Sequence, residues 1–262
     1  MEIRDKVVVV TGAASGIGRG LALRFAEEGA RAVVAADFDG PGAVAVADEI
    51  RAAGGAAEAM TVDVAADAEV AALIDGIEAE IGTIDLFCSN AGILVIGGQE
   101  LPDDEWRRII DVNLMGHVYA ARHLVPRMLE RGGGYLLHTC SAAGLLTQIG
   151  SAPYSVTKHA ALSFAEWLAI TYGDRGLKVS ALCPQAVASK MTMGIDGGGV
   201  AGVDGMLTPE QVAASVVEGL ADERFLILPH PEVLEYFRRK TADYDRWLAG
   251  MRRLQARFGI EL

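Results

Sequence analysis

Short apolar runs alternate along this chain with longer stretches whose apolar residues recur every three or four positions. Residues 7–10 are four consecutive valines ahead of a glycine turn, the pattern of a strand buried on both faces. Helical spacing follows over 17–28 and stops at Gly29. The same alternation continues with strands at 32–36, 58–62 and 86–89 and helices at 41–53 and 66–81. One long helical stretch is predicted over 103–131, ending at three glycines, followed by a strand at 135–139. A helix over 153–172 opens on Pro153 and ends before Gly173. A strand at 179–183, a helix at 209–220 and a last strand at 225–228 complete the series.

Strict strand–helix alternation implies right-handed crossovers and a parallel sheet covered by helices on both faces. Ligands of such sheets bind at the carboxyl ends of the strands, near the point where strand order reverses. The polar and glycine-rich motifs of this chain fall at those ends or on the helices that follow.

Composition narrows the picture. The chain has 262 residues, 51% of them hydrophobic, enough for one large α/β core. The net charge of −12 leaves no basic excess for a nucleic-acid partner. No apolar run approaches the length of a membrane span, and the charged start, Met1 to Lys6, has no signal-like apolar region, so a cytoplasmic location and no membrane partner are expected. Cys88, Cys140 and Cys183 lie near predicted strand ends without disulfide or zinc spacing and read as small buried hydrophobes. The five histidines are scattered, so no metal site is expected; His138 reads as a core or supporting residue and His159 as helix packing or surface.

Three motifs carry chemistry. Thr11-Gly12-Ala13-Ala14-Ser15-Gly16-Ile17-Gly18 lies between the first strand and its helix, where glycines permit a tight turn and close approach of a pyrophosphate to a helix N-terminus. Asp37, at the end of the second strand, offers a carboxylate to ribose hydroxyls and would repel a 2′-phosphate. Tyr154 and Lys158 share one helix face, with Ser141 thirteen residues before Tyr154. A cation held beside a phenol favours the phenolate and lowers its pKa.

Together these residues resemble the short-chain dehydrogenase/reductase family in its compact form, over about residues 6–228. The resemblance implies a Rossmann-like doubly wound parallel sheet of about seven strands, carrying a catalytic domain at 1–230 and a C-terminal helical extension at 231–262. It implies a tetrad of Asn113, Ser141, Tyr154 and Lys158. Asn113 would hold a helix distortion and a proton-relaying water, and Ser141 would bind the substrate oxygen. Tyr154 would exchange a proton with that oxygen, and Lys158 would lower the Tyr154 pKa and bind the nicotinamide ribose. The cofactor would meet Gly12, Ser15, Gly16, Ile17, Gly18, Asp37 and Phe38. Further contacts would come from Asp63-Val64, from Asn90-Ala91-Gly92 and from Pro184, Val187 and Ser189. Relatives preferring NADP usually carry a basic residue where this chain has Ser15 or Phe38, so NAD is the expected cofactor. Ser89, Cys140 and Gln185 depart from the family pattern.

Apolar residues after these motifs suggest a hydrophobic or bulky substrate pocket: Leu94, Ile96, Ala143, Leu145, Met191, Met193 and Met206, with Gln148 among them. Gly194 to Gly205 holds six glycines in twelve residues and reads as a mobile lid within a loop at about 189–208. Beyond Pro231, Phe237, Tyr244, Met251 and Phe258 recur every seven residues, with Trp247 and Leu254 between them. Basic residues there outnumber acids seven to five. This stripe is expected to pack across a subunit interface, with a helix lying on its own domain as the alternative. The resemblance implies a homodimer or homotetramer. The functional expectation is hydride transfer between NAD and a hydrophobic secondary alcohol or ketone. A reductase of small or activated ketones and a catalytically silent dinucleotide-binding regulator are the alternatives. Nucleotide-sugar epimerases share the Tyr–Lys spacing but need a larger substrate domain.

Overall fold

In the computed structural model, which describes residues 1–259, the strands form one seven-stranded parallel sheet in the order β3-β2-β1-β4-β5-β6-β7. Chain order reverses between β1 (Val7–Thr11) and β4 (Leu86–Ser89). On one side lie β2 (Ala32–Asp37) and β3 (Ala57–Thr61). On the other lie β5 (Gly134–Thr139), β6 (Leu177–Leu182) and a two-residue β7 (Leu226–Ile227), shorter than the sequence predicts.

The valine run shows why the sheet sits in the middle. Val7 and Val9 join one core cluster, Val8 and Val10 the other, and all four are fully buried. Both faces are therefore apolar, and helices must cover each. Helices α1 (Gly16–Glu27), α2 (Gly40–Ala52) and, later in the chain, Pro209–Ala221 cover one face through Leu21, Phe25, Ile50, Val212 and Val216. Helix α3 (Asp67–Glu80) packs on the other face through Leu73, Ile74 and Ile77.

The predicted long helix is interrupted. Helix α4 (Asp103–Ile110) passes through a π-helical turn, Asp111–Met115, into α5 (Gly116–Glu130). The amphipathic pattern runs through the turn unbroken, so periodicity did not reveal it. Such single wide turns are frequent at functional sites, and this one contains Asn113. Two further helices frame the site: a short α6 (Ala143–Leu146), which the sequence did not predict, and α7 (Ala152–Tyr172). Helix α8 (Pro209–Ala221) starts on a capping box between Thr208 and Gln211.

The C-terminal stripe forms two helices rather than one. Helix α9 (Glu232–Ala242) ends at Asp243, whose extended backbone (φ −156°, ψ 95°) breaks the axis. The Asp243 carboxylate then accepts the Arg246 N–H at 3.0 Å and caps α10 (Tyr244–Arg257). Phe237 and Trp247 turn toward the chain's own core, while Tyr244 is 56% exposed. Part of the extension thus packs on its own domain, the alternative reading of the stripe, while Tyr244 and Phe258 stay exposed. Its last three residues, 260–262, lie outside the described residues. The glycine-rich segment is also built: Asp196–Gly202 forms a short 3₁₀ turn, with Gly197, Gly198 and Gly199 at positive φ. Among the described residues, no helix is long and apolar enough to cross a membrane.

Candidate active site

A cleft of about 1160 Å³ opens at the carboxyl ends of the strands and reaches from Asp37 to the C-terminal helices. It exceeds the roughly 300–1,000 Å³ usual for one small ligand, which suits a dinucleotide and a substrate side by side.

Its first wall is backbone. Gly12 has φ +67°, and a Cβ there would lie 2.8 Å from Ala91 Cα. At Gly18 a Cβ would lie 2.0 Å from the Gly12 carbonyl oxygen. Only hydrogen fits, so the turn packs directly against the start of α1. Ser15, at the N-cap of α1, makes no side-chain cap. The first-turn N–H groups are left to face an anion in the cleft. Gly16 and Ile17 line the same wall. This cradle fits a dinucleotide pyrophosphate.

Asp37 accepts the Ala14 N–H at 2.8 Å and the Asp39 N–H at 2.9 Å, which fixes its carboxylate at the cleft edge beside the exposed Phe38. Two nearby guanidinium groups are occupied: Arg19 holds Glu49 at 2.8 Å and Arg24 holds Glu28 at 2.7 Å. Asp63 and Val64 line the cleft next, with Asp63 accepting the Ala65 N–H at 3.0 Å.

The second wall ties three strand ends together. Asn90 Nδ2 donates to the Thr11 carbonyl at 3.0 Å, and its Oδ1 accepts the Thr139 hydroxyl at 3.0 Å. The Thr139 carbonyl in turn accepts from Lys158 Nζ at 2.9 Å. Ala91 and Gly92 continue this wall, as do Pro184, Val187 and Ser189 from the segment after β6.

Ser151 positions the reacting side chains from below: it caps α7 by accepting the Tyr154 N–H at 3.3 Å, and its hydroxyl donates to the Val95 carbonyl. Tyr154 therefore enters on the first turn, with Lys158 one turn later. The Lys158 ammonium lies 5.7 Å from the Tyr154 ring centroid. Ser141 shares the cleft wall with Tyr154, and its Oγ accepts the Ala143 N–H at 3.0 Å. Asn113 is fully buried behind them rather than on the cleft wall. Its Oδ1 accepts the Ile93 N–H at 2.8 Å, and its Nδ2 donates to the Ile93 carbonyl at 2.9 Å. Gly92 sits between Asn113 and Lys158: a Cβ there would lie 3.3 Å from Asn113 Oδ1 and 3.4 Å from Lys158 Nζ.

The electrostatics differ from the expectation drawn from spacing. Burial raises the Tyr154 pKa above its ordinary value, and the hydrogen bond to Ser141 only opposes that rise. Burial lowers the Lys158 pKa. In the protein alone the phenol is thus a held proton rather than a phenolate. The lysine donates to the Thr139 carbonyl at 2.9 Å while its ammonium stays 5.7 Å from the Tyr154 ring centroid.

The predicted substrate residues divide. Leu94, Ala143, Gln148 and Met191 line the cleft. Ile96, Met193 and Met206 do not, and are 63%, 75% and 44% exposed. Leu145 is buried in the core instead, and its carbonyl accepts from Lys240 Nζ at 2.6 Å. A flat apolar run cannot show which residues turn inward. Thr147, Arg108 and the α9–α10 extension do line the cleft and were missed. Thr147 has φ +77°, rare for a β-branched residue, and sits where α6 turns toward α7.

His117 was also missed, although its place four residues after Asn113 put it on the same helix face. Its Nδ1 lies 2.8 Å from His138 Nδ1, and the rings stack at 5.1 Å between centroids. Both Nε2 atoms are buried without a partner among the described residues. Burial lowers both pKa values, His138 to about 4. His159 bonds the Ser155 carbonyl at 2.9 Å. All three cysteines are buried and free, and the Cys183 thiol is raised by its hydrogen bond to Cys140 and by burial. Among the described residues, no cluster of three or more His, Cys, Asp or Glu side chains could hold a metal ion.

Comparison with known proteins agrees with this geometry. The sequence signature described as short chain dehydrogenase matches residues 6–197. A 1-deoxy-11-beta-hydroxypentalenate dehydrogenase from Streptomyces exfoliatus is 39% identical over 236 residues, 88% of this chain and 86% of that protein. A cyclohexanol dehydrogenase from Acinetobacter sp. (strain SE19) is 36% identical over 70% of this chain and 73% of that protein. A crystal structure of a short chain dehydrogenase/reductase from Burkholderia phymatum in complex with NAD superposes with a TM-score of 0.86 at 30% identity, covering 94% of this chain and 96% of that one. Solved neighbours carry either NAD or NADP. On this evidence the chain belongs to the short-chain dehydrogenase/reductase family, oxidoreductases that act on hydroxyl and ketone carbons.

Proposed function

We propose that the protein transfers a hydride between NAD and a hydrophobic secondary alcohol or ketone. The observation that carries this reading is that Ser141, Tyr154 and Lys158 stand on the wall of the same cleft as the glycine cradle. The nicotinamide would supply the hydride acceptor, and the protein supplies position and protons. Ser141 holds the substrate oxygen against the Tyr154 phenol. Tyr154 takes the hydroxyl proton during oxidation and returns it during ketone reduction. Lys158, anchored on the Thr139 carbonyl and adjoining Gly92, holds the ribose end of the cofactor site and adds positive charge. Asn113 positions this region by clamping both backbone groups of Ile93.

NAD rather than NADP is supported by the fixed Asp37 carboxylate and by the pairing of Arg19 and Arg24 with glutamates. A hydrophobic substrate is supported by the apolar wall of Leu94, Ala143, Leu146, Met191 and Ile195. The reducing direction is the second reading, favoured by the raised Tyr154 pKa, since a protonated phenol suits a carbonyl acceptor.

The test is nicotinamide absorbance with NAD and NADP across secondary alcohols and their ketones, from short aliphatic through cyclohexanol to steroid. Turnover with NAD that falls by roughly 10²–10⁴ in Tyr154→Phe, with NADH binding retained, is the expected result. Full activity in Tyr154→Phe would remove the proton role. Tight NADH binding without turnover of any alcohol or ketone would point to a dinucleotide-binding regulator.

A further inference from the structure

Hydride exchange accounts for the floor of the cleft but not for its rim. Arg246, Arg253 and Arg257 line the cleft from α10, and Arg108 lines it from α4. The α10 arginines are spaced seven and four residues apart, so they share one helix face. Trp247, Met251 and Leu254 lie between them on that face and line the cleft as well. Charge and apolar surface are therefore interleaved over the opening.

Among the described residues, none of these four guanidinium groups stands within ion-pair distance of a carboxylate. Elsewhere the chain does pair its arginines: Arg107 holds Asp103 at 2.9 Å, Arg122 holds Asp67 at 2.9 Å, and Arg131 holds Glu78 at 2.6 Å. The acids on the cleft wall are already engaged. Asp37 and Asp63 accept backbone N–H groups at the adenosine end, and Asp243 caps α10. Among the described residues, a chain of net charge −12 thus presents four cations without a carboxylate partner at one opening.

Their place is the substrate side. Helix α9 packs on α6, the helix just after Ser141, and Lys240 fastens the two through the Leu145 carbonyl. Trp247 packs against the core. The pyrophosphate already has its own site at the uncapped start of α1. Guanidinium forks favour planar oxyanions, which they can hold through two parallel hydrogen bonds.

We infer that the substrate is an amphipathic anion. It carries a secondary alcohol or ketone on an apolar skeleton, and its far end bears an oxyanion, a carboxylate or a sulfate ester. The reacting carbon sits at Ser141 and Tyr154, and the oxyanion is received by Arg246, Arg253, Arg257 and Arg108. This inference rests on the dehydrogenase reading above and deepens it.

The experiment compares hydroxy fatty acids bearing the hydroxyl next to the chain terminus, from short to long, with their methyl esters and with matched alkyl sulfates, at saturating NAD. We expect kcat/KM to favour an anion over its ester by about tenfold at the best chain length. Rising salt should erode that preference, because the arginines are solvent-exposed. The double variant Arg246→Gln, Arg253→Gln should bring the anion-to-ester ratio close to one while the KM for NAD holds. A gain for carboxylates alone, or for sulfates too, supports the inference and names the oxyanion. Equal turnover of acid and ester, or a preference that survives in the double variant, overturns it. So does a double variant that loses NAD affinity instead, which would assign the arginines to the cofactor. Failure of every alcohol, cyclohexanol included, is a failure of the dehydrogenase reading. The rim is then decided by binding alone: quenching of tryptophan emission by laurate but not by methyl laurate supports it, and equal quenching overturns it.

Discussion

The two ends of the cleft are built from different material. The end at the glycine turn is mostly backbone: the turn itself, the start of α1 and the ends of β1, β2 and β4, all within the first 92 residues. The substrate end is side chain: Ser141, Tyr154 and Met191 from separate segments, closed over by α9 and α10 from the C-terminus. A group common to every substrate of such an enzyme can be met by fixed backbone dipoles. A group that differs between enzymes is met by residues that can be exchanged without disturbing the sheet. The first end is correspondingly intolerant of change, and the second is adjustable.

Several measurements would break or sharpen that contrast. The largest effect is expected from acid. His117 and His138 have folded-state pKa values depressed below the unfolded value near 6.5, so the unfolded chain binds more protons as pH falls. Stability is fully present above pH ~6.5 and is lost as pH falls toward about 4, where His138 titrates. The loss from His138 alone is ~3 kcal/mol. Denaturant unfolding between those limits checks it, and a double His117→Leu, His138→Leu variant should flatten the slope. An unchanged slope would show that neutral burial of the pair does not govern acid stability.

Next come the glycines. Gly18→Ala places a methyl 2.0 Å from the Gly12 carbonyl oxygen. We expect ~2 kcal/mol or more of destabilisation and at least a tenfold loss of NADH affinity. Gly194→Ala meets nothing within 4 Å, although Gly194 has φ +80°. It should cost only ~1 kcal/mol of backbone strain and leave NADH affinity unchanged. Equal effects on NADH affinity at the two sites would dissolve the contrast between the two ends.

Lys240→Met removes the bond from α9 to the Leu145 carbonyl while keeping the buried stem. The expected cost is ~1–3 kcal/mol in stability, with a several-fold rise in substrate KM and little change in the KM for NAD. A rise in both KM values would mean that the extension serves the whole cleft. A separate effect is expected at Asp37: Asp37→Ser should shift the NAD-to-NADP ratio of kcat/KM by about tenfold toward NADP. No shift would make the carboxylate a structural bond to Ala14 and Asp39 only.

Legibility in the sequence follows the same division. The alternation of strands and helices, the glycine turn and Asp37 could be read directly because their chemistry is local: each is set by neighbours a few residues away. Tyr154, Lys158 and Ser141 could be identified through their resemblance to a family pattern, and the structure puts all three on one cleft wall. Their electrostatics could not. Spacing suggested a lysine beside a phenol, and the ammonium does lie 5.7 Å from the ring centroid, but burial raises the tyrosine pKa. The π turn at Asp111–Met115 left no mark on the periodicity, because one wide turn barely perturbs a helical period; only the resemblance, through Asn113, pointed to a helix distortion there. Among the apolar candidates, Met191 faces the cleft and Met193 faces solvent, a difference of two residues in an irregular loop that has no period to read.

The sequence by itself determined the parallel sheet and the place of the glycine turn at its carboxyl edge. Those follow from hydrophobic periodicity, glycine stereochemistry and the short reach of connecting loops. Only the tertiary structure decided what closes the other end. A heptad stripe satisfies an intersubunit groove and an intrasubunit one equally well, since burial of apolar area is non-directional. The extended backbone at Asp243 and the buried Lys240 on Leu145 bring Trp247, Met251 and Leu254 of that stripe over the chain's own cleft. That placement carries the arginines of α10 to the mouth of the active site, a proximity between residues more than ninety positions apart that no local pattern encodes.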